Sequence, residues 1–300
     1  MFDYRIKTFL TVCDTLNYTK AALLLNLTQP AVSQHIHYLE QEYQVDLFVQ
    51  KGKQLFLTEE GQLLQQAAQT FLSDELSLKE SMLCIPRQTP PVQFGATITI
   101  GEFVLPSLLS RYMKQHPRQN LKLTIANTSE LIHELKEGKL QLAIVEGYFN
   151  ASDFDCVIFR REQFIPVCSA SHVFQTNVHQ LSDLLSQHLL VREKGSGTRE
   201  ILSRSLKAFN YKLDDFPYYT EINSMYAIVQ LLQQDAGISF LYKAAVLPLL
   251  NQGILKEIPL NDYFMEHDFT FIWNRGSIYK TRYQQFCQEL IHQSSLDAGF

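Results

Sequence analysis

Residues 189 to 199 hold the side chains best suited to bind a small ligand. An apolar, strand-like run leads into Gly195-Ser196-Gly197-Thr198, and a helix is predicted to begin there. Glycines allow close approach of the backbone and a helix start is electropositive, so backbone N–H groups and both hydroxyls can converge on an anion. Arg192 and Lys194 add cationic groups. The stretch predicts a small-anion site, and without a Gly-Lys-Ser/Thr ending it is not a nucleotide-binding P-loop.

Polar side chains also stand at other predicted junctions between strands and helices. Glu102 and Glu146 each follow a strand-like run, and Asn127 precedes a helix, where with Glu130 it could simply act as a cap. Two carboxylates would repel a simple anion, so an amino-acid-like zwitterion is an alternative effector. The candidate effector-binding residues are Glu102, Phe103, Asn127, Thr128, Ser129, Glu146, Arg192, Gly195, Ser196, Gly197, Thr198, Asn223 and Ser224.

Strand-like and helix-like segments alternate along the C-terminal two thirds of the chain, as they do around parallel sheets, and residues 96–100 and 164–168 are among the predicted strands. This length exceeds what one sheet needs, so we expect two α/β lobes, lobe I at about 95–162 and 268–293 and lobe II at about 163–267. Ligands of such folds bind in the crevice at the strand ends. The predicted effector site therefore lies between the lobes.

The first 60 residues predict three short helices followed by a two-stranded wing. Thr19 and Thr28 are the expected caps of the second and third helices, and Pro30 suits a first helical turn. The third helix is predicted from Gln29 to Gln44, with one polar face. Two β-prone runs then flank a basic, glycine-containing tip at residues 50–54.

Residues 17–34, Asn-Tyr-Thr-Lys-Ala-Ala-Leu-Leu-Leu-Asn-Leu-Thr-Gln-Pro-Ala-Val-Ser-Gln, closely resemble the helix-turn-helix signature of the LysR-type transcriptional regulators. Leu39-Glu40, Leu47-Phe48 and the segment 57–61 also fall at that family's spacings, and the length and domain order agree over nearly the whole chain. The resemblance implies a dimer or tetramer that binds a dyad-symmetric operator and changes its DNA contacts when a small molecule enters the effector domain. It also implies that Gly195–Thr198 lines the cleft between the lobes. The Gly-Ser-Gly-Thr-Arg stretch looks like that of regulators of sulfur or nitrogen assimilation.

A recognition helix places its N-terminal half against base edges, so Gln29, Ser33 and Gln34 are the side chains best placed to read sequence. The candidate DNA-binding residues, including those expected to contact phosphates, are Thr19, Thr28, Gln29, Pro30, Ser33, Gln34, His37, Lys51 and Lys53. Residues 1–61 carry five basic and seven acidic side chains. Double-stranded DNA is therefore expected to be held by few phosphate contacts per subunit.

One long helix is predicted from Thr58 to Ile85, before Pro86. Its apolar residues, Leu64, Ala68, Phe71, Leu78, Met82 and Ile85, follow an a/d heptad pattern. Because little of the same chain would cover a helix between two domains, the pattern favours a homodimer or homotetramer. The predicted fold class is α+β multidomain: an N-terminal winged helix-turn-helix (1–60), a long linker helix (61–88) and a C-terminal two-lobed α/β periplasmic-binding-protein-like effector domain (95–300).

Composition excludes several other classes. An apolar content of 46% is too high for a disordered chain, and the net charge of −5 gives no overall attraction to nucleic acid. Five scattered cysteines form no CxxC pair, and His35 and His37 do not share a helix face, so neither a metal nor a cofactor is expected. With no apolar run of about 20 residues and no signal-like start, we expect no membrane partner and a cytoplasmic protein.

Two alternatives remain open from the sequence. An enzyme could be built on a periplasmic-binding-protein-like fold, although no nucleophile–base pair or cofactor motif occurs at usable spacing. A DNA-binding protein without a functional effector site is the other. RNA polymerase is a further candidate partner of a regulator.

Overall fold

The computed structural model describes residues 3–83 and 90–297. The predicted end of the linker helix, including Cys84, Ile85 and the stop at Pro86, lies outside these ranges.

The N-terminal unit is a three-helix domain with a wing. It comprises α1 (Tyr4–Thr15), α2 (Tyr18–Leu25), α3 (Gln29–Tyr43) and the antiparallel strands β1 (Phe48–Lys51) and β2 (Gln54–Leu57). Phe9, Val12 and Val32 are fully buried in its core, and each apolar side chain of this kind contributes about 1.5–3 kcal/mol when removed from water. This packing fixes the outward orientation of the polar face of α3.

Local capping explains where these helices begin. The side chain of Thr28 accepts a hydrogen bond from the backbone N–H of Ala31 at 3.3 Å, as predicted. The predicted cap of α2 was wrong: Asn17 accepts from the N–H of Lys20 at 3.0 Å, whereas Thr19 lies within the helix, exposed. Asn17 is a stronger cap than Thr, and it stands one residue before the helix.

Helix α4 (Glu59–Leu83) packs extensively against its own chain, contrary to the sequence-based expectation. Ala68 is buried and Leu64 half-buried in the core of the N-terminal domain, so these two residues do not belong to an open seam. Ser73, Asp74 and Ser77 face the C-terminal domain instead. The apolar residues left exposed on α4 are Leu63, Phe71, Leu78, Met82 and Leu83.

Asp74 joins α4 to the C-terminal domain through two hydrogen bonds. Its buried carboxylate accepts from the Ser277 hydroxyl and from the N–H of Ile278 at 3.1 Å. We expect Asp74→Ala to lower the free energy of unfolding by about 1–3 kcal/mol, because the buried Ser277 hydroxyl and the Ile278 N–H lose their acceptor. Urea unfolding would measure this, with Glu75→Ala as the control at a position whose side chain forms a surface ion pair with Lys79. Equal losses in both variants would contradict the inferred role.

The C-terminal domain consists of two α/β lobes. Lobe I contains β3 (Val92–Thr97), α5 (Leu105–Gln115), β4 (Leu121–Ala126), α6 (Thr128–Lys136) and β5 (Leu142–Val145). Lobe II contains β7 (Leu189–Arg192), α7 (Gly197–Ala208), β8 (Tyr219–Ile222), α8 (Met225–Gln233), β9 (Ile238–Tyr242), α9 (Lys243–Asn251) and β10 (Leu255–Glu257). In each lobe, parallel pairs bring the carboxyl ends of strands to one edge of the sheet.

Two long strands connect the lobes. Strand β6 (Phe154–Ser169) pairs with β11 (Glu266–Asn274) along its first part and with β9 along its last part. The sequence predicted only Phe164–Cys168 of β6; the first part is a half-buried strand in which exposure alternates from residue 155 to residue 158. α10 (Lys280–Asp297) closes lobe I.

The entry to lobe I also differs from the prediction. β3 ends at Thr97, and a short π-helical segment, Ile100–Val104, leads into α5. The sequence predicted a strand as far as Ile100, since Thr and Ile alternate there. Because the strand stops early, the side chains of Thr97 and Thr99 are both buried at its end.

Candidate DNA interface and effector cleft

The predicted DNA-contacting residues form part of the exposed surface of the N-terminal domain. Thr28 lies at the start of α3, Gln29, Ser33 and Gln34 lie along its first turns, and His37 follows one turn later. Thr19, Pro30, Lys51 and Lys53 are exposed too, the two lysines at the wing tip. The free face of α3 and the wing together have the arrangement with which a helix enters the major groove.

One aromatic contact on this surface was not predicted from the sequence. The guanidinium of Arg5 lies 3.6 Å from the ring centroid of Tyr38, which is exposed on α3, and pairs with Asp3 at 2.7 Å. Arg5 on α1 and Tyr38 on α3 are far apart in sequence, so only the packing of the two helices brings them together.

The cleft between the lobes lies where strand ends meet the start of α7. From lobe I come Thr97, Thr128 and the Glu146-Gly147 turn, and from lobe II come Ser196, Gly197 and Thr198. A Cβ on Gly197 would lie 2.8 Å from both Cγ of Glu146 and the backbone N of Gly147. The two lobes are therefore in direct contact at this point, with no room for one additional carbon.

Glu146 is the central residue of the inner part of the cleft. Its side chain is buried, and Oε1 accepts a hydrogen bond from the Thr198 hydroxyl of the opposite lobe at 2.6 Å. Its backbone carbonyl accepts from the Tyr242 hydroxyl at 3.3 Å. One residue of lobe I thus makes two contacts with lobe II.

Burial raises the pKa of Glu146, because a carboxylate loses its hydration there. The hydroxyls of Thr198, Thr99 and Thr97 and the charge of Arg192 act in the opposite direction without overcoming burial. Thr97 and Thr99 face the carboxyl without reaching full hydrogen-bond geometry. Among the described residues, the Glu146 Oε2 atom and the Thr97, Thr99 and Thr128 hydroxyls are buried without a hydrogen-bond partner. The cleft therefore contains unused hydrogen-bonding capacity.

Arg192, predicted to hold an anion, is already paired with a carboxylate of the protein. Its guanidinium is 2% exposed and binds Glu193 through two hydrogen bonds of 2.8 and 2.9 Å. Partial desolvation raises the pKa of Glu102, and the charge of Arg192 lowers it by less. The charge of Arg192 therefore acts on three nearby carboxyl groups, those of Glu193, Glu102 and Glu146.

An outer cavity of about 280 Å³ opens beside the inner cleft. Ser196 precedes α7 without capping it through its side chain, so its hydroxyl and the helix start face the cavity. The lining residues are Thr128, Ser129, Ile132, Tyr148, Lys194, Gly195, Ser196, Arg199, Glu200 and Ser203. Arg199 is paired with Glu221, which leaves Lys194, exposed at the mouth, as the cation best placed to meet a ligand.

The predicted effector residues, apart from Arg192 described above, fall into four groups. Thr128, Ser129, Gly195 and Ser196 line the outer cavity, and Glu146, Gly197 and Thr198 form the inner contact. Asn127 caps α6 and Ser224 caps α8. Phe103 packs against the apolar core of lobe II, and Glu102 and Asn223 are exposed outside the cavity lining.

Several residues of the cleft were missed by sequence reasoning. Thr97 and Thr99 were interpreted as ordinary strand residues, and Tyr148 and Ser203 carried no motif. A signal was available only for Thr97 and Thr99, two hydroxyl residues spaced by one at the end of a predicted strand.

Comparisons with known proteins agree with this architecture. Residues 4–62 match the model of the bacterial regulatory helix-turn-helix protein, lysR family, and residues 87–295 match the LysR substrate binding domain. CysL of Bacillus subtilis, an HTH-type transcriptional regulator, is 28% identical over 269 residues, covering 89% of each chain. A cysteine mutant of OxyR from Corynebacterium glutamicum has the same fold, with a TM-score of 0.60, 21% identity, and coverage of 97% of this chain and 90% of that one. The Synechocystis CcmR regulatory domain, solved in complex with 2-PG, gives 0.60 at 18% identity over 68% of this chain and 97% of its own.

A winged helix-turn-helix joined to a two-lobed ligand-binding domain defines a DNA-binding regulator controlled by a small molecule. The chain belongs to the LysR family of transcriptional regulators. The enzyme alternative is set aside, because the relatives are named as transcriptional regulators. In the described part of the chain, no helix combines the length and apolarity needed to cross a membrane.

Proposed function

We propose that this regulator responds to a small anion or an amino-acid-like zwitterion bound in the outer cavity. The observation that carries the proposal is the position of Lys194, Ser129 and Ser196 around the positive end of α7. A cation, two hydroxyls and free helix N–H groups are the donors that a carboxylate or an oxyanion requires. Glu200 also lines the cavity, paired with Arg204 at 2.9 Å, and its carboxylate is the acceptor that we assign to the ammonium of a zwitterion.

The linkage we propose is to sulfur or nitrogen metabolism. It is supported by the likeness of the segment from Gly195 to Arg199 to regulators of sulfur or nitrogen assimilation. That a structural relative binds 2-PG in its regulatory domain is consistent with an anionic effector on this fold.

Calorimetric titration tests the effector class. Among sulfate, sulfite, thiosulfate, nitrite and O-acetylserine-like compounds, we expect at least one saturable signal, with its affinity reduced about 10- to 100-fold by Lys194→Ala, because a charge-assisted hydrogen bond is lost. Lys207→Ala, at the exposed end of the same helix, is the control. A saturable signal with the same affinity in Lys194→Ala would contradict the assignment of the effector to the outer cavity. No heat signal from any compound of the panel would favour a regulator without a functional effector site.

We further propose that the polar face of α3 reads base edges and that a second copy of the chain occupies the other half-site. Gln29, Ser33 and Gln34 are exposed together near the start of the recognition helix. The exposed apolar residues of α4, among them Leu63, Leu78 and Met82, suit a partner helix, in a homodimer or homotetramer. Acting on the chromosome, the protein would work in the cytoplasm, with RNA polymerase as a candidate partner.

Selection of bound duplexes from a random pool tests this proposal. We expect a dyad-symmetric site, bound by a dimer or a larger oligomer in analytical ultracentrifugation. A monomer that shows no preference for any duplex over random competitor would contradict it.

Salt dependence should be modest for a DNA-binding protein. With five basic and seven acidic side chains in residues 1–61, we expect about two or three phosphates neutralised per subunit. A dimer would then give a slope of log K against log salt of about −4 to −5. Fluorescence anisotropy over a salt series measures it, and a slope steeper than about −8 would show that a major basic surface contacts the DNA elsewhere.

A further inference from the structure

Buried hydroxyl groups of both lobes surround one side chain of the protein in the inner cleft. Thr198 donates to Glu146 Oε1 at 2.6 Å, and the hydroxyls of Thr97 and Thr99 lie buried beside the same carboxyl group without a hydrogen-bond partner. Hydroxyl donors gathered in this way form a donor set for a carboxylate or an oxyanion. The carboxylate found there belongs to Glu146. We call the three hydroxyls the inner cradle.

We propose that Glu146 is a built-in ligand: its carboxylate occupies the inner cradle, excludes free anions from it and joins lobe I to lobe II. The proposal goes beyond the effector proposed above, because it concerns the inner cradle and not the outer cavity.

The contacts of Glu146 are those expected of a ligand that joins two domains. Its backbone belongs to lobe I, whereas its carboxyl group accepts a hydrogen bond from Thr198 of lobe II at 2.6 Å. Gly147 and Gly197 meet beside it, where a Cβ on Gly147 would come within 3.1 Å of Cα of Gly197. Side chains at these two positions would keep the lobes apart, so the close approach that brings Thr198 to the carboxylate depends on glycine.

The occupied cradle also explains where an effector must bind. A second anion placed at the hydroxyls would have to share the volume that the buried Glu146 side chain already fills. An anionic group is therefore directed to the outer cavity and Lys194. In this protein, Glu146 acts as a specificity-determining residue.

The experiment removes the Glu146 carboxylate from the inner cradle and supplies free acetate in its place. Glu146→Ala removes the atoms of an acetate ion, so acetate should bind the variant and not the wild type. At about ten times its Kd, acetate should raise the melting temperature of Glu146→Ala by about 3–6 °C. Neutral acetamide should have little effect, and adding Thr198→Ala should weaken acetate binding about 10-fold or more.

Matched controls separate this site from general salt effects. Glu102→Ala removes an exposed carboxylate that also lies near Arg192, and it should create no acetate response. If Glu146→Ala does not accumulate, Glu146→Thr removes the carboxylate while keeping a polar side chain, and acetate in the refolding buffer should restore the yield of either variant.

Two results would overturn the proposal. One is an acetate response in the wild type as large as that of Glu146→Ala, which would show that the cradle is open. The other is the absence of any acetate effect, on melting temperature or on refolding yield, in both Glu146 variants. Neither result bears on the outer cavity, which is tested separately by the Lys194-dependent titration.

Discussion

Gly197→Ala is expected to weaken effector binding while leaving operator binding intact. The added Cβ would lie 2.8 Å from Cγ of Glu146 and from the backbone N of Gly147, closer than nonbonded carbon and nitrogen can approach. Since one of these atoms is backbone, the contact can be relieved only by moving the lobes apart. Overpacking of this kind costs about 1–3 kcal/mol, so effector affinity should fall about 5- to 150-fold.

Calorimetry with the effector found in the titration panel would measure the effector affinity of the variant, and anisotropy on operator DNA would measure its operator affinity. Lys207→Ala, near the other end of α7, controls for effects on the helix itself. An unchanged effector affinity in Gly197→Ala would mean that binding does not require the close approach of the lobes. Loss of operator binding without effector would place the defect in folding.

The double substitution Gln29→Ala and Gln34→Ala should abolish most sequence preference. Both side chains are exposed near the start of α3, and a glutamine amide can bond N6 and N7 of adenine in a bidentate manner. Each such pair discriminates by about 1–3 kcal/mol, so the double variant should bind its operator at least about 30-fold more weakly. Affinity for random duplex should change little, because phosphate contacts remain.

Competition anisotropy of operator against random duplex gives the ratio directly. Glu42→Ala, exposed near the end of α3 and away from its first turns, is the matched control. A parallel loss of affinity for operator and random DNA would indicate a phosphate-contacting role for the two glutamines. An unchanged ratio would mean that other side chains read the sequence.

Local chemistry made much of the N-terminal domain predictable. Thr28 caps α3 and Pro30 follows it because both effects act within a few residues along the chain. The same holds for the glycine of the wing tip, Gly52 at φ +64°. The strands extend to Lys51 and from Gln54, so the tip predicted at residues 50–54 is only two residues long. The start of α7 after Gly195-Ser196 belongs to this class too.

Predictions that required knowledge of distant neighbours were less complete. The heptad pattern of α4 was assigned to a partner helix, but Ala68 packs in the N-terminal core and Asp74 binds Ser277 more than 200 residues away. The first half of β6 was missed because its pairing with β11 is decided by a strand more than 100 residues further along.

Amino-acid order alone therefore determined the class of regulator, the recognition helix and the Gly195–Thr198 segment, since motif spacing, caps and turns depend on near neighbours. Only the tertiary structure decided which groups of the protein fill the inner cleft. Glu146 was expected to repel an anion, and instead its carboxylate lies among hydroxyls from both lobes. Burial and electrostatics depend on which surfaces meet, and no local pattern around Glu146 contains that information.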